Sequence, residues 1–308
     1  MTQRYSSVPG RVKTVCGWLL CTLLPHTLSA AEPVDTQYAA RIIWQAQQDG
    51  DWLPDMYRLN PALTDASLYA IQRAYVTRRL ASGAVIGGYK GSFIPAASMG
   101  GVLFGGSAIL RPGADEPTVI TLEDFKILVV EAEIGFKFCT PVTAPLEDIA
   151  ALKEAVCALM PVMEIADAAI ADFGDVKKNL PHLRSTLISI NAASTRTFVG
   201  KESPASLPLN QLAVSMNLDG VEIGSRDTSD TSDQWQKVLW LVNNYILQQG
   251  YTIEPGYFVI PGNLTGIHVA TEGTYRADFG TLGVLELQVV SDIDRGQQIA
   301  HRAINDIK

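Results

Sequence analysis

Residues 126–138 read Lys126-Ile-Leu-Val-Val-Glu-Ala-Glu-Ile-Gly-Phe-Lys-Phe138. The run is dense in β-branched and aromatic side chains, which suit the pleated surface of a strand. Side chains alternate between the two faces of a strand, so Glu131 and Glu133 share one side. Neighbouring carboxylates repel each other, and out of water each must be protonated, paired or bound to a metal. Oxygen-only donors suit a hard cation such as Mg²⁺ better than Zn²⁺. The same segment also reads as a half-exposed strand whose wet face carries Glu131, Glu133 and Lys137, the common fate of charged side chains.

The flanking sequence is cut into short apolar runs by glycine: Ala84-Val-Ile-Gly-Gly-Tyr-Lys90, then Gly100-Gly-Val-Leu-Phe-Gly-Gly106, with a turn at Pro112-Gly113. Pro161-Val-Met-Glu-Ile165, Leu187-Ile-Ser-Ile-Asn191 and Thr197-Phe-Val-Gly200 read as extended, as do Tyr257–Pro261, Gly273–Phe279 and Gly283–Val290. Helical spacing is found over residues 35–50, 64–82, 145–159 and 233–249. In the second of these Thr64 or Asp65 can cap, and Leu68, Ile71, Gln72, Tyr75 and Leu80 recur near helical spacing. No repeat or low-complexity tract interrupts the chain. Few helices among many glycine-punctuated strands predict an α+β fold with a β-rich core.

The first 31 residues have a different character. Arg4, Arg11 and Lys13 precede the apolar run Val15–Leu24, and Ser29-Ala30-Ala31 supplies small residues for cleavage. That layout predicts a secretory signal peptide over 1–31, cut after Ala30 or Ala31, with an uncleaved signal anchor as the alternative. The apolar run is short for a membrane span, which takes about 20 residues. Without it, 21 Lys and Arg face 32 Asp and Glu, a net charge of −11. No basic stripe is left to neutralise phosphates, so nucleic acid is excluded as a partner, and no membrane attachment is expected after cleavage. The expected location is outside the cytoplasm, in the periplasm. Cys139 and Cys157 remain, enough for one bridge in an oxidising compartment. They have no zinc-like spacing with His182, His268 or His301.

The order of the pieces is more specific than any one of them. A helix containing Gln72 leads into Gly87-Gly-Tyr-Lys90, Gly101-Val-Leu-Phe104 and Val130-Glu-Ala-Glu-Ile134. Pro161-Val-Met-Glu164-Ile-Ala-Asp167, Asn191-Ala-Ala-Ser194, Phe198-Val-Gly200, Gly256-Tyr-Phe-Val-Ile-Pro-Gly262 and Asp278-Phe-Gly-Thr-Leu-Gly283 follow. Over residues 60–290 this series resembles the 2-keto-4-pentenoate hydratase / 4-oxalocrotonate decarboxylase family, a branch of the fumarylacetoacetate hydrolase superfamily. The resemblance implies a fumarylacetoacetase-like fold, a β-rich sandwich or roll with flanking helices. After the expected signal peptide at 1–31, the chain then divides into an N-terminal helical segment at 32–83 and a catalytic domain at 84–308.

The resemblance also implies that Glu131, Glu133 and Glu164 hold one Mg²⁺ or Mn²⁺. Lys90 is then expected to bind the substrate carboxylate or to move a proton during keto–enol interconversion. Asn191 and Ser194 match a polar segment near the site, where either contacts substrate or merely stabilises a turn; Ser194 is the catalytic candidate and Asn191 the substrate-binding one. Thr265 is a further group near the substrate. The implied reaction is hydration of a 2-hydroxy-2,4-dienoate to a 4-hydroxy-2-oxo acid, through an enolate that the ion stabilises. Decarboxylation of a 2-oxo acid and acylpyruvate-type hydrolysis share that intermediate and stand as alternatives. The expected partner is a small 2-oxo acid, and relatives of this kind assemble as homo-oligomers.

Three positions depart from the pattern of that family. After the lysine this chain runs Lys90-Gly-Ser-Phe-Ile-Pro-Ala-Ala-Ser-Met99, which shortens the substrate-facing loop. Gly105-Gly-Ser-Ala-Ile109 stands where relatives carry an acid, and Ala169 where they carry an arginine. The expected export is a fourth difference. Together these leave open an exported keto-acid-binding protein without turnover.

Overall fold

The computed structural model describes residues 35–93, 98–113, 117–227 and 234–292; the expected signal peptide lies outside them, as does part of the loop after Lys90. Seven α-helices are described: α1 (Thr36–Gln48), α2 (Met56–Leu59), α3 (Asp65–Ala81), α4 (Ile149–Ala155), α5 (Phe173–Val176), α6 (Leu180–Ser189) and α7 (Gln234–Leu241), the last running into a π-helical turn at Val242–Ile246. The larger sheet holds β1 (Ile86–Ser92), β2 (Met99–Phe104), β3 (Ile109–Leu110), β5 (Leu128–Phe138), β6 (Val156–Asp167), β7 (Arg196–Val199), β8 (Ser203–Pro204), β11 (Phe258–Ile260) and β12 (His268–Val269). The smaller sheet holds β4 (Thr118–Thr121), β9 (Ala213–Leu218), β10 (Val221–Asp227), β13 (Gly273–Asp278) and β14 (Val284–Val290). The α+β expectation is met, and the described helices and both sheets belong to one compact unit. None of the described helices is long and apolar enough to cross a membrane.

The order β2-β1-β11-β5-β6-β7-β3 puts β5 and β6 in the middle of the larger sheet. They pair antiparallel from Leu128↔Asp167 to Phe138↔Val156, the longest pairing in the fold. A central strand covered on both faces has no wet side. Accordingly β5 is buried almost throughout, and the half-exposed alternative fails at Glu133, which is fully buried. Lys137 alone keeps a surface role, paired with Glu202 at 2.6 Å. The smaller sheet alternates as a one-sided sheet should: Leu285, Leu287 and Val289 point inward between the more exposed Val284, Glu286 and Gln288.

Helix α3 starts where the sequence says, with the Thr64 hydroxyl accepting from the Ser67 N–H. Gln72 on its buried face donates to the carbonyls of Gly100 and Ile188 and accepts from the Tyr245 hydroxyl at 2.8 Å. One side chain thus ties α3 to β2, α6 and the π-helical turn.

Two segments differ from expectation. Leu187–Asn191 reads as extended but belongs mostly to α6, which Asn179 caps and Pro181 opens. The helix expected over 145–159 stops at Ala155, because Val156–Leu159 are needed opposite β5. That early start of β6 brings Cys157 beside Cys139, and the two form a disulfide with Cα atoms 5.7 Å apart. Closing an 18-residue separation is worth about 3 kcal/mol by loss of unfolded-state entropy. Reducing the bond, or making Cys139→Ser with Cys157→Ser, is expected to lower stability by about that amount. The shift in urea midpoint at unchanged m-value measures it; an unchanged midpoint would contradict it.

Candidate functional site

In the β5–β6 register Glu131 stands directly opposite Glu164, with Glu133 two residues along beside Val162. Like charges placed directly across a sheet are unfavourable. One donor oxygen from each of the three carboxylates nevertheless lies within 4.8 Å of the others. Glu133 and Glu164 are buried and Glu131 is partly so. The sequence pair on one strand and the single Glu164 on the next therefore meet at one point.

Lys90 reaches the same point from β1, two strands away from β5. Its ammonium donates to Glu164 and to the Ala192 carbonyl, the latter at 2.9 Å. Burial favours the neutral amine, but Glu164, Glu131 and Glu133 outweigh it and hold Lys90 charged, above the ordinary lysine range. With all three carboxylates ionised, one ammonium would leave an uncompensated charge of −2. Burial, with Glu164 close by, pushes Glu131 up to about 8. Burial, Glu164 and Glu131 push Glu133 well above the carboxylate range as well.

The loop after β11 cradles both β5 carboxylates. The Gly262 N–H donates to Glu133 Oε2 at 2.8 Å, and the Asn263 side chain hydrogen-bonds Glu131. Glu133 Oε1 is buried with no hydrogen-bond partner among the described residues. An orphaned buried carboxylate oxygen costs about 1–3 kcal/mol unless something positive meets it. A divalent cation would satisfy that oxygen, cancel the residual charge and find only hard oxygen donors. The three glutamates fit such an ion.

Glu131 and Glu164 open into a cavity of about 310 Å³, with Glu133 buried beside them. Lys90, Glu131 and Glu164 line its buried end, Phe93, Phe173, Leu187 and Ile267 its apolar walls, and Lys177, Arg226 and Lys237 its more exposed part. Not every expected site residue reaches it. The Asn191 carboxamide is used up on the backbone of Val102, accepting from its N–H at 2.7 Å and donating to its carbonyl at 2.9 Å. Ser194 lies behind the same loop, lining a neighbouring cavity of about 580 Å³ together with Ala169, Asp167 and Arg79. Thr265 is buried with its hydroxyl unpartnered among the described residues, and its loop contributes Gly262, Asn263 and Ile267 to the carboxylate cavity instead. The structure therefore brings Lys90 and the three glutamates together and leaves Asn191, Ser194 and Thr265 off the cavity wall. Gly262 and Asn263 escape a reading of the sequence because a Pro-Gly-Asn turn after a strand is an everyday loop signal.

No family model matches the chain. A 2-oxo-hept-4-ene-1,7-dioate hydratase from Escherichia coli is 25% identical over 244 residues, 75% of this chain and 88% of that protein. The 4-oxalocrotonate decarboxylase from Pseudomonas putida G7, complexed with magnesium and adipate, superposes with a TM-score of 0.72 at 19% identity, covering 83% of this chain and 97% of that one. The same enzyme complexed with calcium and acetate gives 0.71 at 20% identity over the same shares. These two likenesses show the fold, which is fumarylacetoacetase-like. By sequence the chain is thus similar to a 2-oxo-hept-4-ene-1,7-dioate hydratase, and it shares the fold of a 4-oxalocrotonate decarboxylase.

Proposed function

We propose that the protein is a divalent-metal-dependent lyase that hydrates a 2-hydroxy-2,4-dienoate, of the 2-oxo-heptenedioate type, to a 4-hydroxy-2-oxo acid. The observation that carries this reading is the trio Glu131, Glu133 and Glu164, which beside a single lysine can ionise fully only when two further positive charges join it. Mg²⁺ or Mn²⁺ held by these glutamates would supply a Lewis acid for the carboxylate and 2-oxygen of the substrate. Lys90, held protonated at the buried end, donates a hydrogen bond to the substrate carboxylate and has a proton available for the dienol. Gly262 and Asn263 fix the β5 carboxylates in place, so little reorganisation is needed when charge develops. Apolar walls exclude bulk water from the carbon chain and strengthen each of these contacts.

Lys177, Arg226 and Lys237 line the same cavity in an otherwise acidic chain, and they suit a second carboxylate at the far end of the substrate. The dioate named for the Escherichia coli relative has that shape. Arg226→Glu is expected to raise KM for a dioate about tenfold and to leave KM for the monocarboxylic analogue nearly unchanged. Equal effects on both substrates would contradict the pairing.

The reaction itself is tested by supplying purified protein and Mg²⁺ with a panel of 2-hydroxydienoates, 2-oxo-enoates and acylpyruvates. Product masses then separate water addition from loss of carbon dioxide and from cleavage. Consumption of a dienoate with gain of one water supports hydration; binding without turnover of any member would overturn the enzyme reading. Export is proposed on residues 1–31, and the Cys139–Cys157 bridge supports it, since such bonds persist in oxidising compartments. Recovery of the chain in the cytoplasmic fraction with both thiols free would contradict it.

A further inference from the structure

Residues 191–193 form a turn between α6 and β7 with three successive non-glycine residues in the left-handed region: Asn191 at φ 58°, Ala192 at 52° and Ala193 at 56°. Each costs on the order of 1 kcal/mol, and such conformations persist only where the surroundings impose them. All three residues are buried. Asn191 does the imposing, because its carboxamide pairs with both backbone groups of Val102 as a neighbouring strand would. Gly101 makes room: a Cβ there would come within 2.8 Å of the Asn191 carbonyl oxygen and 3.1 Å of the Ala192 Cβ. Gln72 fastens the preceding residues by bridging Gly100 and Ile188. What this arrangement presents to the cavity is the Ala192 carbonyl, 2.9 Å from the Lys90 ammonium.

An ammonium has three N–H donors and no acceptor. Here one goes to Glu164 and one to Ala192. A divalent cation on Glu164 competes for that carboxylate and repels the ammonium. The neutral Ala192 carbonyl is the acceptor that does not change when the ion arrives. We propose that Asn191 is a positioning residue for Lys90: by locking the left-handed turn it aims the Ala192 carbonyl so that the lysine stays in the cavity beside a bound divalent cation, its third N–H directed to a substrate carboxylate. The proposal rests on the reading of the three glutamates as a metal site.

Calorimetry on the full protein tests it, with Mg²⁺ titrated first and oxalate second. Wild type is compared with Lys90→Ala, Asn191→Ala, the double variant and Asn191→Asp. Asn191→Ala is expected to leave Mg²⁺ affinity within about twofold, since β5 and β6 are untouched. It should weaken oxalate binding to the Mg²⁺-loaded protein about tenfold, the size of one charge-assisted hydrogen bond. In the Lys90→Ala background the same change should cost nothing, because the group it positions is gone. Asn191→Asp keeps the acceptor for the Val102 N–H and should fall between. If Asn191→Ala does not fold, Gly101→Ala disturbs the same turn by steric contact and must show the same dependence on Lys90.

A loss of oxalate affinity that is equal with and without Lys90 would mean a merely structural asparagine and overturn the proposal, as would no loss at all. Failure of the wild type to bind Mg²⁺ would overturn both the metal reading and this inference. Normal Mg²⁺ and oxalate binding with additive variants would remove only the role of Asn191.

Discussion

Glu133→Gln is expected to stabilise the metal-free protein while removing its affinity for Mg²⁺. Glu133 is fully buried, one oxygen has no partner among the described residues, and burial with Glu164 and Glu131 pushes its carboxyl well above the usual range. At a pH high enough to ionise that carboxyl, a neutral isostere ends its repulsion with Glu164 and Glu131, a gain of about 1–2 kcal/mol. The same change deletes one of three anionic ligands, which should weaken Mg²⁺ binding roughly 100-fold and slow turnover about 1,000-fold or more. Opposite signs from one substitution are the mark of a site held strained for its ligand. Thermal unfolding with and without Mg²⁺ reads both effects. Loss of stability in the metal-free variant with unchanged Mg²⁺ affinity would show Glu133 to be structural.

The stability of the metal-free protein should also fall as pH rises. Glu131 is pushed up to about 8, first by burial and then by Glu164, so the folded chain holds a proton that the unfolded chain has released. Protonation is therefore favoured by folding, and its contribution is complete below the ordinary carboxylate range near 4.5. It is lost progressively as pH rises from there through about 8. Because Glu131 keeps some contact with water, the loss is put at about 2 kcal/mol, roughly 5 °C in Tm. Saturating Mg²⁺ reverses the trend, since the ion binds the deprotonated carboxylates and stabilises by mass action. Tm curves with and without Mg²⁺ should thus diverge from pH 5 to pH 9. Parallel curves would contradict the placement of the ion on these glutamates.

What the sequence reveals about this site follows the range of the interactions involved. Glu131 and Glu133 are legible locally, because a strand period of two is enough to put them on one side. Glu164 is not: one acid in Pro161-Val-Met-Glu says nothing until the register sets it opposite Glu131, and only the ordered series of motifs points to it. Helices α1 and α3 announce themselves through Asp35 and Thr64 at their caps and through long helical periods. The stretch Leu187–Asn191 misleads because alternating Leu, Ser and Ile satisfies a strand pattern, while the deciding signals, Asn179 and Pro181, lie eight and six residues upstream of Leu187. The hairpin of β9 and β10 carries a plain signal in Asp219-Gly220, both with positive φ, that a reading centred on the glutamates passes over. Asn191 is legible as polar and near the site, but its partner Val102 is far away in sequence, so only the fold shows that its amide is spent on backbone.

Calorimetric titration of Mg²⁺ and Mn²⁺ into the purified protein, with and without oxalate, measures the central claim directly. The account predicts one ion per chain, binding strengthened by oxalate and lost in both Glu131→Ala and Glu164→Ala. A folded wild type that takes up neither ion, or a Glu131→Ala variant that binds as wild type does, would contradict it.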